Sequence, residues 1–98
     1  MDIIFEDDSL RKLEEDPAYD AGFDRSIVKS YRMRIQYIRA AENEKAFYSM
    51  KSLHYEKLKG NLEGFYSMRL NKQWRLVFKY NKGESGKLVV VVSIVDYH

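Results

Sequence analysis

The spacing of hydrophobic positions changes part-way along this 98-residue chain. From Asp24 onward Ile27, Val28, Tyr31, Ile35, Ile38 and Ala41 recur at steps of three and four, with Arg25, Lys29, Arg32 and Arg39 falling between them. That spacing predicts an amphipathic helix with a basic outer face. A second helix is predicted over Glu42 to Ser52, with Ala46, Phe47 and Met50 inward. Ahead of these, "DIIFED" reads as a short strand. "DDSLRKLEED" reads as a brief helix capped by Asp8 or Ser9 and stopped near Pro17. "DPAYDAGF" is then a loop, and so is the glycine-containing "LHYEKLKGNLEGF". Beyond it the period becomes two. Tyr66, Met68 and Leu70 alternate with Phe65, Ser67 and Arg69, and Trp74, Leu76, Phe78 and Tyr80 alternate with Arg75, Val77 and Lys79. The last strand, "KLVVVVSIVDYH", is apolar on both faces from Leu88 to Val92, which predicts a central or doubly covered position. "NKGESG" before it reads as a hairpin loop.

The two faces fix a hairpin register, because residues opposed across a ladder point the same way. A two-residue loop would set Met68 against Arg75. A three-residue loop, Asn71 to Gln73, pairs Leu70 with Trp74, Met68 with Leu76 and Tyr66 with Phe78. The second register makes Arg69 and Arg75 direct neighbours on the other face, where like charges repel and an anion between them would turn that cost into a gain.

Composition bounds the function. The chain is 45% hydrophobic and 33% charged, which suits one soluble domain spanning 1–98. It has no cysteine, so neither disulfides nor thiolate metal sites are available, and a reducing cytoplasm fits. The acidic start is too short in its apolar run for a signal peptide, and no apolar stretch approaches a membrane span. The net charge of +2 hides a division: residues 1–24 hold nine acids against Arg11 and Lys12, a net −7, and the remainder carries +9. Such asymmetry is compatible with a nucleic-acid partner and equally with ordinary surface solubility.

"LKGNLEGFYSMRLNKQWRLVF" followed by a terminal "VDYH" resembles the HigB branch of the RelE superfamily, the toxins of bacterial toxin–antitoxin pairs. The shared motifs are a Leu-Lys-Gly turn, a Gly-aromatic-Ser strand, an Asn-x-x-Trp-Arg strand and an Asp-Tyr-His terminus, in that order from Leu58 to His98. The resemblance implies an α+β fold in which an N-terminal strand and helices pack on a small antiparallel β-sheet. It also implies an endoribonuclease that cleaves messenger RNA on the ribosome through the RNA's own 2′-hydroxyl, without metal or other cofactor. Carried over by position, the catalytic candidates are Lys59 of the turn, Arg75 after the tryptophan, and Asp96, Tyr97 and His98 at the terminus. Some relatives place a histidine four residues before the turn's glycine. Here that position is Glu56 and the histidine is His54, so either could stand in, or neither is required. Arg69, Lys57 and His54 are candidates for RNA contact.

The chemistry fits those residue types. Attack of a 2′-hydroxyl on the adjacent phosphate needs a proton acceptor, a donor for the leaving 5′-oxygen and positive charge on the phosphoryl oxygens. An imidazole, of reference pKa about 6.5, serves as acid or base near neutrality, and arginine's planar fork matches phosphate. Asp96 could take a proton or orient the imidazole, while Tyr97 could stack on a base or donate a hydrogen bond. With two histidines and no carboxylate cluster at ligand spacing, no metal site is expected. A terminal histidine on its own is more often surface decoration. Two rival readings are a ParE-like gyrase inhibitor, against which the intact "DYH" speaks, and a noncatalytic RNA-binding module that would not need His98. As partners the resemblance implies a small helix-turn-helix antitoxin of the HigA kind, messenger RNA, the ribosome, operator DNA only through the antitoxin complex, and no membrane.

Overall fold

The computed structural model describes residues 1–83 and 86–96. Its elements run β1 (Asp2–Phe5), α1 (Asp8–Glu15), α2 (Arg25–Ala40), α3 (Lys45–Ser49), β2 (Glu56–Lys57), β3 (Phe65–Arg69), β4 (Trp74–Gly83) and β5 (Gly86–Asp96), with short 3-10 turns at Lys51–Leu53 and Gly60–Leu62. The five strands form one sheet in the order β1-β5-β4-β3-β2. It is antiparallel except at one edge, where β1 lies parallel to β5 with Asp2 opposite Leu88 and Phe5 opposite Val91. The apolar β5 is therefore paired along both edges, the central position expected of it. Among the described residues no helix is long and apolar enough to cross a membrane.

The core lies between the helices and one face of the sheet. Leu10 and Leu13 of α1 and Ile27, Val28, Tyr31, Ile35 and Ile38 of α2 bury against Met68, Leu76, Phe78, Val89 and Val91. The three- and four-residue spacing of α2 is thus its buried stripe, and Tyr31 satisfies its hydroxyl by donating to the Leu10 carbonyl at 2.7 Å. The basic outer face of α2 is partly spent inside the molecule. Arg39 donates to both oxygens of Glu14, and Arg32 donates to the carbonyls of Leu13, Asp16 and Tyr19. These bonds clamp the acidic segment onto the helix that follows it.

Several boundaries differ from expectation. The cap of α1 is Asp7, whose carboxylate accepts from the Ser9 amide at 2.9 Å, one residue earlier than expected. The helix predicted over Glu42 to Ser52 breaks at Met50, which turns extended and is 39% exposed rather than inward. The break rotates the chain so that Leu53 takes the core position instead. The segment read as a plain loop contains β2, because Tyr55 buries on the aromatic core and draws Glu56 and Lys57 alongside Ser67 and Tyr66. The β4–β5 ladder continues through Lys82–Lys87 to Gly83–Gly86, so much of the predicted "NKGESG" loop is strand.

The β3–β4 hairpin has the register expected of a three-residue loop: Tyr66 faces Phe78, Met68 faces Leu76 and Arg69 faces Arg75. Asn71 holds the loop, its side-chain oxygen accepting from the amides of Gln73 and Trp74 at 2.8 Å each.

Candidate active site on the open face of the sheet

The face away from the helices carries the predicted chemistry. Alternation along β4 sends Leu76 and Phe78 to the core and leaves Arg75 and Val77 on this open face. Arg75 is only 7% exposed. Its Nε donates to the Ser67 hydroxyl at 2.8 Å, one Nη donates to the His54 carbonyl, and the Glu56 carboxylate lies 3.6 Å away. A guanidinium fixed by a hydroxyl, a carbonyl and a carboxylate has its plane set by the protein, the condition for pre-organised charge.

Arg69 and Arg75 bond to different partners. Arg69 swings toward the hairpin, where Nη1 meets His54 Nε2 at 3.0 Å and Nε donates to the Asn71 carbonyl at 3.1 Å. A guanidinium can only donate, so Nε2 of His54 accepts and its ring proton sits on Nδ1. His54 has left-handed backbone, φ 46° and ψ 49°, which aims its carbonyl at Arg75 and its ring at Arg69. One residue thereby ties both arginines.

Beside Arg75 the open face is hollow. Leu58 and Leu62 of the β2–β3 connection line a concavity of about 310 Å³ together with Phe65, Ser67, Arg75, Val92 and Val95 of the sheet. Gly60, at φ 65°, and Gly64, at φ 92°, give the connection that carries Leu62 a backbone in which a side-chain-bearing residue would be strained. The β5 part of the lining is shaped by a β-bulge. Val77 pairs with Ser93 but Phe78 pairs with Val91, so one extra residue stands in β5. Val92 and Ser93 both face the concavity, after which Ile94 returns to the core and Val95 to the open face. Asp96 borders the concavity at the end of β5, but it is paired with core-packed Trp74 and its side chain turns to that face, where it accepts from Gln73 Nε2 at 3.0 Å.

A family model described as the RelE-like toxin of the type II toxin–antitoxin system HigB matches residues 3–98. The chain belongs to the HigB-like toxin family. Toxin HigB-1 of Vibrio cholerae serotype O1 is 31% identical over 83 residues, covering 85% of this chain and 87% of that protein. Two solved structures share the fold. The YoeB/ParE toxin from Agrobacterium tumefaciens has a TM-score of 0.61 at 18% identity, with both chains wholly covered. The YoeB–YefM complex from Staphylococcus aureus has a TM-score of 0.56 at 22% identity, covering 100% of this chain and 97% of that one.

Of the residues predicted for a HigB-like site, Arg75, Glu56, Arg69 and His54 gather on or beside this concavity, and Asp96 borders it from the end of β5 with its side chain on the Trp74 face. Lys59 is exposed at the start of the Gly60–Leu62 turn, adjacent in sequence to the lining residue Leu58. Lys57 is not brought in: it pairs with Tyr66 and faces the helix side of the sheet. Tyr97 and His98 lie outside the described residues, immediately after Asp96. Sequence reasoning missed Ser67 and Ser93 as parts of the site. Ser67 was legible, since its place two residues before Arg69 puts it on the arginine face; Ser93 was not, because only the bulge turns it there.

Proposed function

We propose that this HigB-like toxin is a messenger-RNA endoribonuclease acting on ribosome-bound message in the cytoplasm, and that its site is the open-face concavity around Arg75. The observation that carries the reading is a nearly buried guanidinium, anchored by Ser67 and His54, lining a hollow on the open face of the sheet. The 2′-oxygen attacks the neighbouring phosphorus; the P–O2′ bond forms and the P–O5′ bond breaks. The 2′-hydroxyl proton passes to a base and the 5′-oxygen takes a proton from an acid, yielding a 2′,3′-cyclic phosphate and a 5′-hydroxyl. Glu56, Asp96 and His98 are the groups that move these protons. Arg75 and Lys59 stabilise the phosphoryl oxygens, and Tyr97 orients the nucleotide. Arg69 and His54 extend the contact surface on the same side, while Lys57 serves RNA only from the far side of the β2 edge. The chemistry is assigned to side chains alone, with no metal or other cofactor.

A cognate antitoxin of the HigA-like, helix-turn-helix kind is the proposed partner, with operator DNA bound through that complex. The family description and the paired YoeB–YefM relative support it. Primer extension on messenger RNA, with and without ribosomes, tests the activity in wild type, Arg75→Ala and His98→Ala. Each variant is expected to lose about 100-fold or more of the cleavage. Cuts undiminished in both variants would remove the site assignment, and toxicity without any RNA cleavage would favour a gyrase-directed toxin.

A further inference from the structure

One edge of the sheet is covered by no described strand. β1 ends the strand order and pairs with β5 on one side only. Glu6 continues the strand, its amide donating to the Val91 carbonyl at 2.9 Å. Backbone direction alternates along a strand, so the N–H and C=O groups of Ile3 and Phe5 point the other way, to the free side. A groove of about 470 Å³ is lined by Ile3, Ile4 and Phe5 together with Asp8, Arg11 and Glu15 of α1. The charge of Arg11 is already matched there by Asp8 and Glu15. Ile3 and Phe5 pack on the core, so alternation sends Asp2, Ile4 and Glu6 to the open face. Glu6 accordingly lies 3.5 Å from the ammonium of Lys79, and Ile4 is 47% exposed. The edge thus presents an acid, a hydrocarbon and an acid at alternate positions, a hazard for unwanted strand pairing unless its charges select the partner.

Charge decides among the occupants. Two copies joined about a two-fold axis through the Ile3 and Phe5 groups centre on Ile4, which sets Asp2 directly opposite Glu6 twice over, and like charges so placed destabilise. Sliding the register by two residues instead sets Ile4 opposite an acid. A nucleic acid would meet the exposed carboxylates of Asp2, Glu6, Asp7 and Asp8 and be repelled. A basic strand meets neither obstacle. We propose that the β1 edge is a strand-addition site for a partner protein. The edge takes an extended antiparallel segment in which Lys or Arg at two positions four residues apart face Glu6 and Asp2, and an apolar residue midway between them packs on Ile4. The Ile3 and Phe5 backbone supplies the ladder and the two acids supply the selection. This inference stands apart from the nuclease reading and from its site.

Titration of the whole purified toxin with the peptide acetyl-Lys-Thr-Ile-Thr-Arg-amide, followed by amide NMR shifts and hydrogen exchange, tests the edge. The peptide is expected to shift the Ile3 and Phe5 amides and to slow their exchange. The same peptide N-methylated at both threonines keeps its charges but cannot form the ladder, and is expected to bind about tenfold more weakly or worse. A peptide with Glu at both ends is expected to bind about two- to tenfold more weakly than the basic one. Asp2→Lys combined with Glu6→Lys, both at exposed positions, is expected to exchange that preference, an outcome that loss of folding cannot mimic. Equal binding of the basic and acidic peptides, undiminished binding of the methylated one, or an unchanged preference in the doubly reversed variant overturns the proposal. Concentration-dependent protection of the Ile3 and Phe5 amides in the toxin alone assigns the edge to a second copy and overturns it as well. None of these readouts depends on RNA cleavage.

Discussion

Arg75 takes its direction from Ser67, the His54 carbonyl and Glu56, so small changes around it should register in both stability and activity. Ser67 is 1% exposed, and Ser67→Ala strands the Nε donor in a buried setting. The expected loss is about 1–3 kcal/mol, read as a lower denaturation midpoint at unchanged slope. At His54 the ring and the backbone can be separated. His54→Gly keeps the left-handed conformation and should leave stability within about 1 kcal/mol, since relief of αL strain offsets the added chain entropy. His54→Val should cost more, about 2 kcal/mol, because a β-branched residue resists that backbone. The opposition of Arg69 and Arg75 was legible from the hairpin register alone. What they do about it was not, because a left-handed histidine fifteen residues earlier leaves no periodic signature in sequence.

At the scale of elements, the β2 edge is tied to the sheet through tyrosines. Tyr55 donates to Glu44 at 2.6 Å and shares a 2.6 Å hydrogen bond with Tyr80, with Phe47, Tyr66 and Phe78 around its ring. Burial, aided for Tyr55 by the Glu44 and Tyr80 hydrogen bonds, pushes the phenols of Tyr55 and Tyr80 well above their ordinary value of 10.0, and burial does the same for Tyr31. A raised phenol pKa means the folded state holds its proton more tightly than the unfolded chain. The stabilisation is therefore intact below pH 10.0 and is lost as pH rises above it. Denaturant midpoints should be flat from neutrality to about pH 10 and fall beyond it. Tyr55→Phe should lower the neutral plateau and flatten the alkaline fall; an unchanged alkaline slope would contradict the role given to this cluster. Long periodic elements such as α2 and β5 could be read directly from the chain. The two-residue β2 and the break at Met50 could not, since both are imposed by where Tyr55 and Leu53 find the core.

Across the whole molecule, the acidic first quarter and basic remainder are partly one another's partners. Glu14, with a side chain only 9% exposed, takes two hydrogen bonds from Arg39 and one from Gln36. Arg39→Ala should therefore cost about 1–3 kcal/mol, discounted from a fully buried pair because Arg39 is itself partly exposed. A thermal shift near zero would mean the charge division is surface decoration after all. The spacing of α2 predicts a basic outer face; in the fold two of its arginines, Arg32 and Arg39, bond to the acidic N-terminal segment and the loop after it, while Arg75 stands on the opposite side of the sheet. There the turn glycines, the bulge and the hairpin register together set Arg75 beside a hollow that ends at Asp96. The most direct test of that site as a nuclease is the chemical nature of the RNA ends made by the purified toxin on ribosome-bound message, compared with Arg75→Ala. The account predicts 5′-hydroxyl and 2′,3′-cyclic phosphate ends, diminished about 100-fold or more in the variant. Ends bearing 5′-phosphate, or cyclic ends made equally well without Arg75, would contradict it.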